Sequence, residues 1–239
     1  MKWNLLKLNF DLHTHSRFSA DSVAEPEEMV AEAKKKGLHG FAITDHNTCA
    51  CVDYFLQRGF MREDGQPVNG LLIIPGQEIS TSEGHLLALG ARLPDIKGIT
   101  PAEAIELIHQ AGGLAVPAHP YDFFRSGIRG KKLKDLPIDA VEVFNAATTF
   151  KRHNRQAFDY AQKRKLPMTA GSDAHHPRAI GTAYSVLEPK EFNLQSVLES
   201  IKHASITQQK YLTPRQALRK TWNNVFRLKR SAKNGEEEA

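Results

Sequence analysis

Short apolar runs rich in Val, Ile and Phe alternate along the chain with longer stretches whose apolar residues recur at helical spacing, a pattern that predicts β-α units and a mainly parallel sheet. Strands are expected at residues 8–12, 40–44, 71–74, 86–89, 114–117, 140–144 and 167–170. Residues 26–36 predict a helix, with Pro26 in its first turn, Met29, Val30 and Ala33 on one face and Gly37 as its stop. Thr100-Pro101-Ala102-Glu103 reads as a capping box, in which Thr100 accepts from the Glu103 N–H while the Glu103 carboxylate reaches back. Further helices are expected at residues 155–165 and 193–204. Thr213-Pro214 then opens a segment in which Leu218, Trp222, Val225 and Phe226 again recur at helical spacing. The pattern divides the chain into one domain over residues 1–204 and a C-terminal helix and tail over residues 205–239.

Charge sharpens that division. The 239 residues carry 32 Lys and Arg against 27 Asp and Glu, a net charge of +5, and residues 205–239 alone hold eight basic and three acidic side chains. The body is therefore neutral, and the whole excess sits in the tail. A basic helix there would either contact nucleic-acid phosphates or pack its apolar stripe on the body with the charges outward. Forty-one per cent hydrophobic and 25% charged residues exclude wholesale disorder. Cys49 and Cys51 are too few for a disulfide framework and lack the other half of a structural zinc site, which points to a reducing, cytoplasmic setting. No apolar run approaches the roughly 20 residues of a membrane helix. Lys2, Asn4 and Lys7 interrupt any signal-peptide core, so neither insertion nor secretion is expected.

Histidine changes the picture most. In Asp11-Leu12-His13-Thr14-His15, residues i and i+2 of an extended segment share a side, so His13 and His15 can present both imidazoles to one metal ion. Other expected strands close on Thr44-Asp45-His46, on Ala118-His119-Pro120 and on Gly171-Ser172-Asp173-Ala174-His175, while Glu78 and His85 flank the fourth region. Parallel strands bring such ends to a single rim. His39, His109, His153 and His203 match no motif and read as ordinary structural or surface residues.

Asp11-Leu12-His13-Thr14-His15-Ser16, Ile43-Thr44-Asp45-His46, Gly76-Gln77-Glu78, His85, His119-Pro120 and Gly171-Ser172-Asp173-Ala174-His175 resemble, in order, the motifs of the PHP domain, named for polymerase and histidinol phosphatase. The resemblance spans about residues 11–186. It implies a distorted (β/α)7 barrel with two or three divalent metals, manganese, zinc or iron, at the C-terminal rim of its strands. It further implies that His13, His15, Glu78 and Asp173 hold one ion, that Glu78 bridges to a second completed by His85 and His119, and that Asp21, His46 and His175 hold a third. Asp21 has a second, lesser reading as a cap or turn residue before Pro26. The implied reaction is phosphoester hydrolysis by a metal-bound hydroxide, on a phosphorylated small molecule or an oligonucleotide end. Histidinol phosphate is an alternative substrate, and a nucleic-acid-binding module working through the basic tail is an alternative of another class.

Residues around these motifs carry weaker expectations. Asp11 and Asp45, beside ligand histidines, are candidates to accept a distal ring N–H and fix its tautomer, with Asp45 the stronger. Arg17, Arg125 and Arg178 follow ligand positions and can fork onto phosphate oxygens, or can be solvated loop charges. Asn145 ends a strand on the same rim and can contact substrate. His176 is a candidate general acid or a plain loop residue.

Overall fold

A computed structural model describes residues 6–204; the expected C-terminal helix, with Leu218, Trp222, Val225, Phe226 and its basic face, lies outside the described residues. Strand β1 (Leu8–Thr14) pairs in parallel with β2 (Gly40–Ile43), which pairs in parallel with β3 (Leu72–Ile74). A second sheet is an antiparallel run of β4 (Gly76–Thr81), β5 (Gly84–Leu89) and β6 (Leu114–Pro117). The third is the parallel pair β7 (Val141–Asn145) and β8 (Met168–Gly171), and β9 (Ser185–Leu187) returns antiparallel to β1. Isolated parallel bridges, Thr14 to Ala174 and His46 to Glu78, tie the three sheets together at one rim. The architecture is mixed α/β, and its hydrogen bonds describe three sheets meeting at that rim rather than the single closed ladder of a seven-unit barrel.

The helices cover the outer faces. They are α1 (Pro26–Lys35), α2 (Ala50–Gln57), α3 (Pro101–Gln110), α4 (Gly130–Leu133), α5 (Lys151–Arg164) and α6 (Leu194–Ile201). Helix α1 buries Met29, Val30 and Ala33 as expected, and the capping box of α3 forms, with Glu103 Oε2 accepting from the Thr100 N–H at 2.8 Å. Phe10, Leu12, Ile74, Leu87, Leu89 and Val116 fill the space inside the sheets, while Phe41, Val52 and Phe55 pack under α1 and α2. None of the helices among the described residues is long and apolar enough to cross a membrane.

Two departures from the sequence pattern shape the rim. Strand β4 has no counterpart among the expected strands, because its inner positions are Gln77 and Glu78, fully buried but polar, and so invisible to a hydrophobic pattern. Strand β5 runs against both neighbours, so the sheet is less parallel than expected. The reversal decides geometry: His85 stands at the start of β5 rather than its end, and reaches the same rim as the ends of β1, β2, β4 and β6.

Candidate metal centre

Alternation along β1 sends Phe10 and Leu12 into the apolar core and turns Asp11, His13 and, just beyond, His15 the other way, all of them buried. The His13 and His15 Nε2 atoms lie 3.0 Å apart, and each is within 3.2 Å of Glu78 Oε2. Asp173 Oδ1 stands 3.5 Å from His15 Nε2 and 3.9 Å from His13 Nε2. Contacts on the far sides of the rings assign the protons. His13 Nδ1 faces Glu142 Oε1 at 3.0 Å, an acceptor, so Nδ1 carries the hydrogen. His15 Nδ1 lies 3.1 Å from Ser19 Oγ, whose own hydrogen goes to Asp45 Oδ1 at 2.9 Å, so His15 Nδ1 is again the donor. Both rings therefore turn Nε2 toward carboxylate oxygens. Nitrogen and carboxylate donors packed this closely in a buried site call for a positive charge in their midst, a metal ion or, without one, a proton.

The same logic repeats at Asp21. His175 Nδ1 donates to the Asp173 carbonyl at 2.9 Å, which leaves its Nε2 lone pair 2.9 Å from Asp21 Oδ2, and His46 Nε2 approaches that oxygen to 3.6 Å. Glu78 is the hub between the two regions. Its Oε1 takes His85 Nδ1 at 2.8 Å and His119 Nε2 at 3.0 Å, while Oε2 faces His13, His15 and, at 3.4 Å, His46 Nδ1. Two oxygens engaging separate groups of imidazoles is the disposition of a carboxylate that bridges two ions. Donor atoms within 4.8 Å of one another form the triads His13–His15–Glu78, His13–His119–Asp173, His46–Glu78–His85 and His15–His46–His175. Nitrogen and carboxylate donors of this kind suit zinc, manganese or iron. Asp21 Oδ1, His46 Nδ1 and His119 Nδ1 are buried without a hydrogen-bond partner among the described residues.

Electrostatics follow the geometry. Burial disfavours charge on His13, yet Glu142, Asp173 and Glu78 outweigh it and raise the imidazole well above its ordinary value. Burial likewise works against ionised Glu78, and the surrounding His85, His46 and His13 overcome it and hold the carboxyl well below its ordinary value. Burial, aided by the Arg125 charge, pushes His119 down, and burial pushes Asp45 up. Two of the converging residues have left-handed backbones, His119 at φ 32° and Asp173 at φ 52°. Both are held there by their amides, His119 N–H on Glu142 Oε2 at 2.6 Å and Asp173 N–H on the His13 carbonyl at 2.8 Å.

The structure thus brings His13, His15, Asp21, His46, Glu78, His85, His119, Asp173 and His175 to one place. Other expectations need correction. Asp11 accepts no imidazole N–H; it ties the backbones of Ser172 and Gly181 at 2.8 and 2.7 Å, and its burial raises the carboxyl to about 6. Asp45 reaches His15 only through Ser19, and accepts the Ser16 N–H and hydroxyl as well. Asn145 donates its amide to Glu142 and Asp173, both at 3.1 Å. Arg17 is drawn away to Glu25 at 3.0 Å and stacks on Phe18 and Tyr54. Arg178 is exposed, and His176 caps the following turn by accepting the Arg178 N–H at 3.2 Å; neither is brought into the cluster. Arg125 does reach it, pairing with Asp173 Oδ2 and donating to the Ala147 carbonyl at 2.8 Å.

Glu142 and Ser19 escaped sequence reading. An acid inside the apolar run Val141-Glu142-Val143-Phe144 is the signal that marked the first, since a buried carboxylate in a central strand must have partners. His39, His109 and His203 make contacts outside the centre, with Asn9, Asp139 and Glu199, in keeping with an ordinary role.

Known proteins resemble this chain in sequence and in fold. Residues 151–206 match the family model described as PHP-associated. An uncharacterized protein of Methanocaldococcus jannaschii is 38% identical over 146 residues, which span 57% of this chain and 81% of the relative. A 5′-3′ exoribonuclease of Haemophilus influenzae is 27% identical over 205 residues, 77% of this chain and 70% of the relative. Among solved structures, the lesion-specific endonuclease Q of Pyrococcus furiosus superposes with a TM-score of 0.63 at 20% identity, covering 88% of this chain and 60% of that one, a likeness of fold. With its motifs in order, its donors gathered on one rim and these relatives, the chain belongs to the PHP family.

Proposed function

We propose that the chain is a metal-dependent phosphoesterase that hydrolyses phosphomonoesters or terminal nucleotides, its catalytic unit lying within residues 1–204. The observation that carries the reading is the convergence of buried nitrogen and carboxylate donors: His13 and His15 Nε2 against Glu78 and Asp173, and His175 Nε2 against Asp21. His13, His15, Glu78 and Asp173 would hold one ion, Glu78, His85 and His119 a second, and Asp21, His46 and His175 a third. Divalent ions there supply Lewis acidity toward phosphoryl oxygens and the leaving group. Glu142 and the Ser19–Asp45 pair keep the ligand imidazoles in the tautomer that offers Nε2. Arg125, at the edge of the cluster, is the cation assigned to a substrate phosphate.

Elemental analysis after expression with added manganese, zinc and iron should find two or three ions per chain, and a metal-free protein would overturn the assignment. Glu78→Gln should reduce turnover of phosphomonoesters to background; undiminished turnover would show that Glu78 is not the bridge. Turnover with manganese on nucleoside monophosphates, nucleoside bisphosphates, histidinol phosphate and 5′-phosphorylated oligonucleotides then separates the substrate classes.

A further inference from the structure

Phe123 and Phe124 are 65% and 68% exposed and Phe150 is 46% exposed, the three most exposed large hydrophobic side chains among the described residues. They also form a single group. The Phe123 and Phe124 rings lie 5.9 Å apart, as do those of Phe124 and Phe150, each pair edge to face. Two guanidiniums flank the group, Arg129 4.8 Å from the Phe123 centroid and Arg152 4.8 Å from that of Phe150. Both arginines are exposed, and neither makes an ion pair among the described residues.

The chain fixes this group beside the metal centre. Phe123 and Phe124 belong to the loop that follows β6 and carries His119, and the next residue, Arg125, touches Asp173. Phe150 belongs to the loop that follows β7 and carries Asn145. Asp122 fastens the two loops together, accepting the Thr149 N–H at 2.6 Å and the Thr148 hydroxyl at 3.0 Å. Apolar rings held in water at this cost, with unneutralised arginines around them, match one ligand chemistry: flat bases joined by anionic phosphates.

Resting on the phosphoesterase reading, we infer that Phe123, Phe124 and Phe150 form a stacking platform for the bases of a single-stranded oligonucleotide whose terminal phosphate lies at the metal centre, with Arg129 and Arg152 on its backbone. One ring would suffice for a mononucleotide, and a row of three suits a strand of two or more bases.

The test uses the full-length metal-loaded protein and three variants, Phe124→Ala, Phe150→Ala and the double substitution. Affinity for a 5′-phosphorylated, fluorescein-labelled single-stranded octamer is read by anisotropy, turnover by p-nitrophenyl phosphate hydrolysis, and oligomeric state by sedimentation. Each substitution should weaken octamer binding roughly tenfold, the order expected for one stacked base. Hydrolysis of the small ester should stay within twofold of wild type, and the unfolding temperature should not move. Unchanged octamer affinity in the variants, or no binding by wild type, would overturn the platform while small-ester turnover leaves the phosphoesterase reading standing. Loss of self-association in place of oligonucleotide affinity would assign the rings to a second copy of the chain and overturn the platform equally. Absence of turnover on any phosphoester by the metal-loaded wild type would instead defeat the reading on which the platform rests.

Discussion

A single carboxylate outside the ligand set, that of Glu142, takes the His13 ring N–H with one oxygen and the His119 backbone N–H and Asn145 amide with the other. Glu142→Gln keeps the size but must turn an amide N–H toward a donor on one side or the other. Loss of such a partner costs about 10- to 100-fold in metal affinity, and metal titration of the purified variant should show a loss of that order. Protonation gives an independent check. Glu142, Asp173 and Glu78 raise His13 despite its burial, so in metal-free protein the ring keeps its proton at neutral pH and a cation must displace it. Metal binding should therefore release protons and weaken as pH falls, which calorimetry in buffers of different ionisation enthalpy will register; a buffer-independent heat would contradict it. The residues of the cluster were legible from sequence because short motifs such as His13-Thr14-His15 carry their own spacing. Glu142 was not, since the acid in Val141-Glu142-Val143-Phe144 announces a buried carboxylate but not its partner, a ring 129 positions away.

Elements show the same contrast between local and distant rules. The α3 capping box could be read from sequence because it involves only neighbours, and Thr100→Ala should cost about 1 kcal/mol in urea unfolding, the usual worth of an N-cap. Strand β4 could not, because its buried Gln77 and Glu78, the latter facing the centre, spoil the apolar signature. Gly171, the last residue of β8, shows what the packing of elements around the site demands. A Cβ there would stand 2.4 Å from His13 Cβ and 2.9 Å from Glu142 Oε1. Gly171→Ala should therefore destabilise the protein by about 1–3 kcal/mol, typical of overpacking, and lower metal occupancy with it. Wild-type occupancy in a stable Gly171→Ala protein would show that the strands have more slack than the contacts imply.

For the molecule as a whole, both thiols are sealed in. Cys51 lies against Val52 and Phe55 in the core beneath α1 and α2, and burial, aided by nearby Asp45, pushes its thiol far up. Neither cysteine should react with an alkylating reagent at pH 8 until the chain unfolds, so labelling rates should track global opening. Fast labelling of native protein would mean that this half of the core opens by itself. The neutral body and basic tail deduced from composition describe charge along the sequence; the folded body gathers Asp21, Glu78, Glu142 and Asp173 at one rim, a placement that no count reveals.

The reversal of β5 also has a consequence in time. It puts Glu78 and His85 across one hairpin, seven positions apart, whereas Asp11 and Ser172, which bring β1 to the Asp173 segment, are 161 positions apart. Hairpins close in about 1–10 microseconds, and contacts between distant segments come far later. During folding, a cation in solution therefore first meets a two-pronged claw of one carboxylate and one imidazole. The histidines of β1 join it over 65 positions of chain, and Asp173 arrives only when the two ends of the described residues have found each other.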